Sequence, residues 1–177
     1  APPRHHHPAQ AAYIVYTSGS TGTPKAITVT ATTLENVVEW QLARRSGSQT
    51  GVQLASIGFD VSLLEFFVTL SDGGRLVLPD EDQRRDPDLL LDLLADKRVE
   101  RLYSTPAFLH QLAYAWAQRE QRPALSLREI LLSGEVLRLS DELHELLRHL
   151  DNPTLENQYG PSETHEATAN LLTGDPH

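Results

Sequence analysis

The chain has 177 residues, of which 40% are hydrophobic and 22% charged, a composition typical of one soluble globular domain. Its net charge of −9 argues against a general binder of nucleic acids or anionic membranes, and the lack of cysteine excludes disulfides, thiolate catalysis and cysteine-ligated zinc. No apolar run reaches the length of a membrane span and no signal peptide is recognisable, so the sequence predicts a cytoplasmic protein without nucleic-acid or membrane partners.

The first elements frame a loop of small and hydroxylated residues. Residues 1–11 are rich in proline and histidine and are expected to form a flexible linker or tail, and the folded domain would span 12–177. Ala12–Tyr16 is predicted as a buried strand and Ala26–Thr30 as a short β segment. The loop between them contains Thr17, Ser18, Gly19, Ser20, Thr21, Gly22, Thr23, Pro24 and Lys25.

This loop predicts a polyphosphate site. Its glycines let the backbone approach a ligand, its N–H groups and hydroxyls can surround an anion, and Lys25 adds a positive charge. The spacing matches neither a P-loop NTPase nor a dinucleotide-binding fingerprint. Without further motifs, a flexible surface loop would account for the same composition.

Strands and amphipathic helices alternate along the rest of the chain. A capping box at Thr32–Glu35 predicts a helix with the apolar stripe Leu34, Val37, Val38 and Leu42, and Asp60 can cap the next helix. Further strands are predicted at Val52–Ile57, Arg75–Leu78, Arg101–Ser104, Ile130–Leu132, Leu155–Tyr159 and Ala167–Leu172, and further helices at Leu89–Lys97, Pro106–Arg119 and Ser140–Leu150. The alternation predicts an α/β fold with a mostly parallel sheet and flanking helices, whose functional loops lie at the carboxyl ends of the strands.

Polar clusters follow several of these strands: the loop ending at Lys25, Phe59-Asp60-Val61-Ser62, Ser133-Gly134-Glu135 and the run Asn157–Thr164. With these residues the chain resembles the adenylation domains of nonribosomal peptide synthetases, within the adenylate-forming, AMP-binding enzymes. The family's phosphate loop, its Phe-Asp-x-Ser pocket motif and its Asn-x-Tyr-Gly-Pro-Thr/Ser-Glu motif occur here in the family's order.

The resemblance implies a ligase activity in secondary-metabolite biosynthesis. ATP would activate an amino acid as aminoacyl-AMP with release of pyrophosphate, and the product would load the phosphopantetheine thiol of a peptidyl carrier protein domain. ATP and Mg²⁺ are the implied cofactors, with phosphopantetheine on a separate carrier domain. The partners would be the amino acid, the carrier domain and neighbouring synthetase domains.

The resemblance also assigns residues to the nucleotide. Lys25 and Glu163 would be catalytic, with Lys25 at the phosphates and Glu163 as the ligand of Mg²⁺. Tyr159 would stack on the adenine ring, because a tyrosine face can stack on a base. The other nucleotide contacts would come from Thr17, Ser18, Gly19, Ser20, Thr21, Gly22, Thr23, Ser133, Gly134, Glu135, Asn157, Gly160 and Thr164.

Asp60 determines the substrate class under this resemblance, because the family's aspartate pairs with the α-ammonium of an amino acid. Its alternative role is that of a helix N-cap, and one residue can serve both. Glu166 could meet a polar or cationic side chain, or could point to solvent. The remaining pocket residues would be Val61, Leu64, Tyr103, Leu131, Ser133, Gln158, Glu166 and Ala167.

The chain also departs from the family pattern. Ala26 stands where the family has glycine, and Ala31-Thr32-Thr33 replaces His-Arg-Gly. Thr173-Gly174-Asp175 lies too close to Glu163 to take the family's ribose-binding role. The C-terminal lid is expected beyond His177, which predicts an inactive fragment when the chain is isolated. Two alternatives stay open: an acyl- or aryl-CoA ligase, against which Asp60 argues, and a catalytically inactive nucleotide-binding piece.

Overall fold

A computed structural model describes residues 7–17, 23–45 and 47–172. Within these ranges the chain forms eight strands and six helices. The strands are β1 (Ala11–Thr17), β2 (Lys25–Thr30), β3 (Thr50–Val52), β4 (Arg75–Val77), β5 (Arg101–Ser104), β6 (Glu129–Leu132), β7 (Thr154–Tyr159) and β8 (Thr168–Leu172). The helices are α1 (Ala31–Ala43), α2 (Val61–Ser71), α3 (Glu81–Arg85), α4 (Pro87–Asp96), α5 (Pro106–Gln118) and α6 (Asp141–His149).

Six strands form one sheet in the order β4-β3-β5-β6-β7-β8. Every neighbouring pair in it is parallel except β7 and β8, which are antiparallel. The predicted α/β fold with a mostly parallel sheet is therefore confirmed. No helix within the described ranges has the length and apolar character needed to cross a membrane.

Helices cover both faces of this sheet, because successive strand residues point to opposite sides. Leu102 and Ile130 are buried on the face covered by α4, α5 and α6, where Trp116 is also fully buried. Their neighbours Tyr103 and Leu131 point to the other face and pack with residues of α1 and α2. The central strands β5 and β6 are thus buried on both sides.

Strands β1 and β2 lie outside the main sheet. They pair with each other as an antiparallel two-stranded sheet, in which Thr17 lies opposite Lys25. Val15, Ile27 and Val29 are buried in a small cluster of their own. The predicted phosphate loop is therefore the connection of a hairpin, and its residues 18–22 lie outside the described part of the chain.

Two predicted element boundaries are wrong. Helix α1 begins at Ala31 with Thr30 as its N-cap, because the Thr30 hydroxyl accepts the Thr33 N–H at 3.3 Å. The predicted capping box at Thr32–Glu35 therefore does not begin the helix. The third strand covers Thr50–Val52 rather than Val52–Ile57. The short helix α3 was not predicted, although Asp80 and Gln83 form a capping box at its start.

The third strand ends early because a buried carboxylate accepts hydrogen bonds from the backbone N–H groups that follow it. Glu65 of α2 is fully buried and accepts N–H donors from Leu54 at 2.9 Å and from Ala55 at 3.0 Å, while Gln53 donates its side-chain amide at 3.1 Å. Burial raises the pKa of Glu65 to about 7, and these hydrogen bonds oppose that shift. On the other side, Arg84 donates to the Leu54 carbonyl at 3.2 Å.

We expect Glu65→Ala to destabilise the protein by about 3 kcal/mol, because it leaves the half-buried N–H groups of Leu54 and Ala55 and the buried Gln53 amide without an acceptor. Thermal unfolding measures the change. The matched control is Glu39→Ala on the exposed side of α1, which should change the free energy of unfolding by no more than about 0.5 kcal/mol. Equal melting temperatures for the two variants would refute the role given to Glu65.

Candidate functional site

A cavity of about 440 Å³ opens at the carboxyl ends of β3, β5, β6 and β7. Its walls come from the segments that follow these four strands, as expected for ligand sites in parallel sheets. Of the residues predicted for the substrate pocket, those lining it are Asp60, Val61, Leu64, Tyr103, Ser133, Gln158 and Glu166.

Two predicted pocket residues do not line the cavity. Leu131 is buried within the sheet, where it packs in the cluster that contains Tyr103 and Leu64. Ala167 is exposed, and its N–H donates to the Tyr159 carbonyl at 2.9 Å at the base of the β7–β8 loop.

Sequence reasoning did not identify several wall residues. Phe59 and Ser162 lie inside recognised motifs, and Thr105 precedes Pro106 as the N-cap of α5, so local signals for them existed. Arg84 reaches the cavity only through tertiary packing, and no local pattern marks it. The other residues missed as wall residues are Leu54, Ala55, Ser56, Ser104, Phe108 and His165.

Asp60 precedes α2 but is an imperfect helix cap. Its Oδ1 accepts the adjacent Val61 N–H at 2.9 Å, whereas an N-cap side chain normally accepts from the second or third helical residue. Its φ of −60° and ψ of −33° are already helical. Capping therefore uses one carboxylate oxygen weakly and leaves Oδ2 at the cavity wall, 4.0 Å from His165 Nδ1.

His165 is a buried neighbour of this carboxylate. Its Nε2 is hydrogen-bonded to the Tyr13 hydroxyl, and the two rings meet edge to face with centroids 5.5 Å apart. Burial lowers the pKa of His165, while the charge of Asp60 acts in the opposite direction. Burial also raises the pKa of Tyr13, so the phenol keeps its proton. We assign the Tyr13 hydroxyl as donor to Nε2, which leaves Nδ1–H facing Asp60.

The loop between β7 and β8 is folded tightly. A Cβ on Gly160 would lie 1.4 Å from the His165 carbonyl oxygen, so only glycine fits there. The Thr164 N–H donates to the Pro161 carbonyl at 2.9 Å, closing a turn that contains Glu163.

Glu163 meets Lys25 at the solvent-facing side of this loop. Lys25 Nζ lies 3.6 Å from Glu163 Oε1, and both side chains are more than half exposed. The contact connects the hairpin to the main sheet, and such exposed pairs contribute little stability. Both groups can therefore be recruited by a ligand.

The other residues predicted for the nucleotide occupy the same edge of the sheet. Tyr159 is 71% exposed at the end of β7. Ser133 and Gly134 line the cavity, Gly134 has a φ of +91°, and Glu135 accepts the Ala107 N–H at 3.3 Å. Thr17 and Thr23 lie on either side of the undescribed loop residues, and the buried Asn157 Oδ1 lacks a hydrogen bond within the described ranges.

A metal would have few protein ligands at this edge. The described residues contain no cluster of three or more histidine, aspartate or glutamate side chains suited to hold a metal ion. Glu163 offers a single exposed carboxylate beside Lys25. This arrangement fits Mg²⁺, which is commonly bound by one or two carboxylates together with water and substrate phosphates.

Comparison with known proteins identifies relatives of this chain. It is 35% identical over 167 residues to the tenellin synthetase of Beauveria bassiana (strain ARSEF 2860), covering 92% of this chain and 4% of that protein. It is 39% identical over 160 residues to the phosphinothricin tripeptide synthetase PhsB of Streptomyces viridochromogenes, covering 88% of this chain and 13% of PhsB. The chain thus spans a small part of these synthetases.

The fold has a close counterpart among solved structures. The crystal structure of the nonribosomal peptide synthetase FmoA3 in its alpha-methyl-L-serine-AMP bound form matches with a TM-score of 0.83 and 27% identity, over 96% of this chain and 19% of that chain. The family model described as AMP-binding enzyme matches residues 1–177. The chain belongs to this family of AMP-binding enzymes, and its relatives are nonribosomal peptide synthetases.

Proposed function

We propose that this chain forms the substrate and nucleotide sites of an adenylation domain. The domain activates an amino acid with ATP to give aminoacyl-AMP and pyrophosphate, and then loads a phosphopantetheine thiol on a carrier domain. The single observation that carries this proposal is Asp60, whose carboxylate lies at the cavity wall and, among the described residues, has only the His165 imidazole as a basic group within 4.0 Å. The adenylate bound to FmoA3 supports the same chemistry.

Asp60 selects for an amino acid in this proposal. A half-buried carboxylate without a cation is costly, and a substrate α-ammonium would supply both charge and hydrogen-bond donors. Among the described residues, the sole basic group within 4.0 Å of Asp60 is the imidazole of His165. A ligase for fatty or aryl acids would leave this carboxylate facing an apolar substrate, which disfavours the carboxylic-acid ligase alternative.

Lys25 and Glu163 would act on the phosphates. The amino-acid carboxylate must approach the α-phosphorus of ATP, and the bond to pyrophosphate must break, so negative charge has to be screened. The exposed Lys25 ammonium can turn from Glu163 to phosphate oxygens, and Glu163 can hold Mg²⁺. A magnesium ion held by Glu163 would supply positive charge to the phosphates.

Adenine would stack on Tyr159, whose ring is largely exposed at the end of β7. Ser133, Gly134 and Glu135 lie on the neighbouring strand end and would contact the base and ribose. The substrate cavity and these groups occupy one edge of the sheet, so the two substrates can meet there.

We expect Lys25→Ala and Glu163→Ala to lower the kcat/KM for ATP by about 10²-fold in amino-acid-dependent pyrophosphate exchange, because each removes charge stabilisation at the phosphates. The measurement uses the full-length protein with saturating amino acid. Lys97→Ala is the control, since Lys97 is the other lysine and follows α4, pairing with Asp96 at 2.6 Å. Unchanged exchange kinetics in both site variants would rule out these roles.

We expect Asp60→Ala to lower the kcat/KM for the cognate amino acid by about 10²–10³-fold, because a well-desolvated ammonium without its partner costs roughly 3–5 kcal/mol. The KM for ATP should stay nearly unchanged, since the nucleotide groups lie on other loops. Pyrophosphate exchange with each substrate varied in turn separates the two effects.

Asp60→Asn distinguishes the anchor from the helix cap. Asparagine caps as well as aspartate, so it should preserve the melting temperature while activity stays low. Full activity in Asp60→Asn would overturn the ammonium assignment.

A further inference from the structure

The cavity contains a second carboxylate, Glu166, which the α-ammonium of an amino acid does not require. Glu166 lies on the β7–β8 loop, is half-buried and lines the same cavity as Asp60. Its Oε2 accepts a hydrogen bond from the buried Gln41 side chain of α1. Its Oε1 receives no hydrogen bond from the residues that the structure describes. One oxygen of a desolvated carboxylate is therefore left for a ligand.

The nearby arginines form no ion pair with Glu166 within the described ranges, although the charges of Arg45 and Arg44 lower its pKa. Arg44 donates to Glu156 at 2.8 Å, and Arg45 donates to Glu129 at 3.1 Å. Arg84, which also lines the cavity, donates to the Leu54 carbonyl at 3.2 Å and to the Gln53 side chain at 2.5 Å. Within the described ranges, no basic side chain approaches Glu166 to ion-pair distance.

The wall that contains Glu166 has a second acceptor. The Tyr103 hydroxyl, which can donate as well as accept, is buried without a hydrogen-bond partner in the described structure. Gln158 donates its amide N–H to Glu156 at 2.6 Å, which leaves its carbonyl oxygen outside that bond. A ligand group rich in hydrogen-bond donors satisfies this wall better than an apolar or anionic group.

We propose that the cavity selects an amino acid whose side chain ends in a cationic nitrogen, an ammonium or a guanidinium, and that Glu166 pairs with it; this inference rests on the proposed function. Asp60 would hold the α-ammonium and Glu166 the side-chain cation. The cavity of about 440 Å³ falls within the usual size of small-ligand sites.

Protonation of Glu166 gives this pairing a pH dependence. Burial raises the pKa of Glu166 to about 7, against the lowering effects of Gln41, Arg45 and Arg44, while Glu156 adds to the rise. The phenol of Tyr103 faces it from β5 and stays protonated. Raising the pH through about 7 ionises Glu166, so the affinity for a cationic side chain rises over this range while lysine, ornithine and arginine remain charged.

The test is pyrophosphate exchange by the full-length wild-type protein with lysine, ornithine and arginine against norleucine, glutamine and glutamate. We expect the best cationic substrate to exceed norleucine, the neutral analogue of lysine in shape, by about 100-fold or more in kcat/KM. Glu166→Gln should reduce this preference at least about tenfold, remove the rise in affinity near pH 7 and leave the KM for ATP unchanged. Glu39→Gln, on the exposed side of α1, should behave as wild type.

Each outcome decides the inference. Exchange that is fastest with norleucine, glutamine or glutamate overturns it, and the proposed function then stands. If the Glu166→Gln variant ranks the amino acids by kcat/KM as the wild type does, the role given to Glu166 is overturned. If no amino acid in the panel supports exchange, the inference is overturned. If the remaining proteinogenic amino acids also fail to support exchange, the proposed function is overturned as well.

Discussion

The parallel pairing of β3, β5, β6 and β7 is the constraint on which the site depends. Parallel neighbours bring all their carboxyl ends to one edge, so four loops that are distant in sequence must meet there. Helices on both faces bury the strands and hold this edge in place. The residues at the strand ends can then be chosen for chemistry, since the buried aliphatic side chains of the strands already supply the stabilisation.

A network of buried charges supports the cavity from behind. Arg101 is 1% exposed and donates to Glu129 at 2.8 Å, and Glu129 also accepts from Arg45, which follows the end of α1. Arg45 further approaches Glu156 at 3.6 Å, beside the glutamine that faces the cavity. Removing one charged side chain from such a network leaves its partner buried without a compensating charge. The network therefore fixes α1 against the sheet at the place where the polar wall of the cavity begins.

Local patterns in the sequence predicted what depends on local contacts. Periodicity and caps located most helices and strands, and β5 begins and ends where predicted at Arg101–Ser104. Motifs located Asp60 and Glu163 because each lies within a short run with a distinctive order. The early end of β3 depends on Glu65, and Arg84 and His165 reach the cavity through tertiary packing. No window of sequence contains these contacts, so local patterns could not reveal them.

The strand that leads into the glycine-rich hairpin connection also carries Tyr13, which is hydrogen-bonded to His165 in the cavity wall. Strand β1 therefore contacts the cavity wall through Tyr13 and ends at Thr17, where the loop predicted to bind phosphates begins. Thermodynamic reciprocity then requires that any ligand-induced strain passing along β1 alters the affinities of both ligands by the same factor.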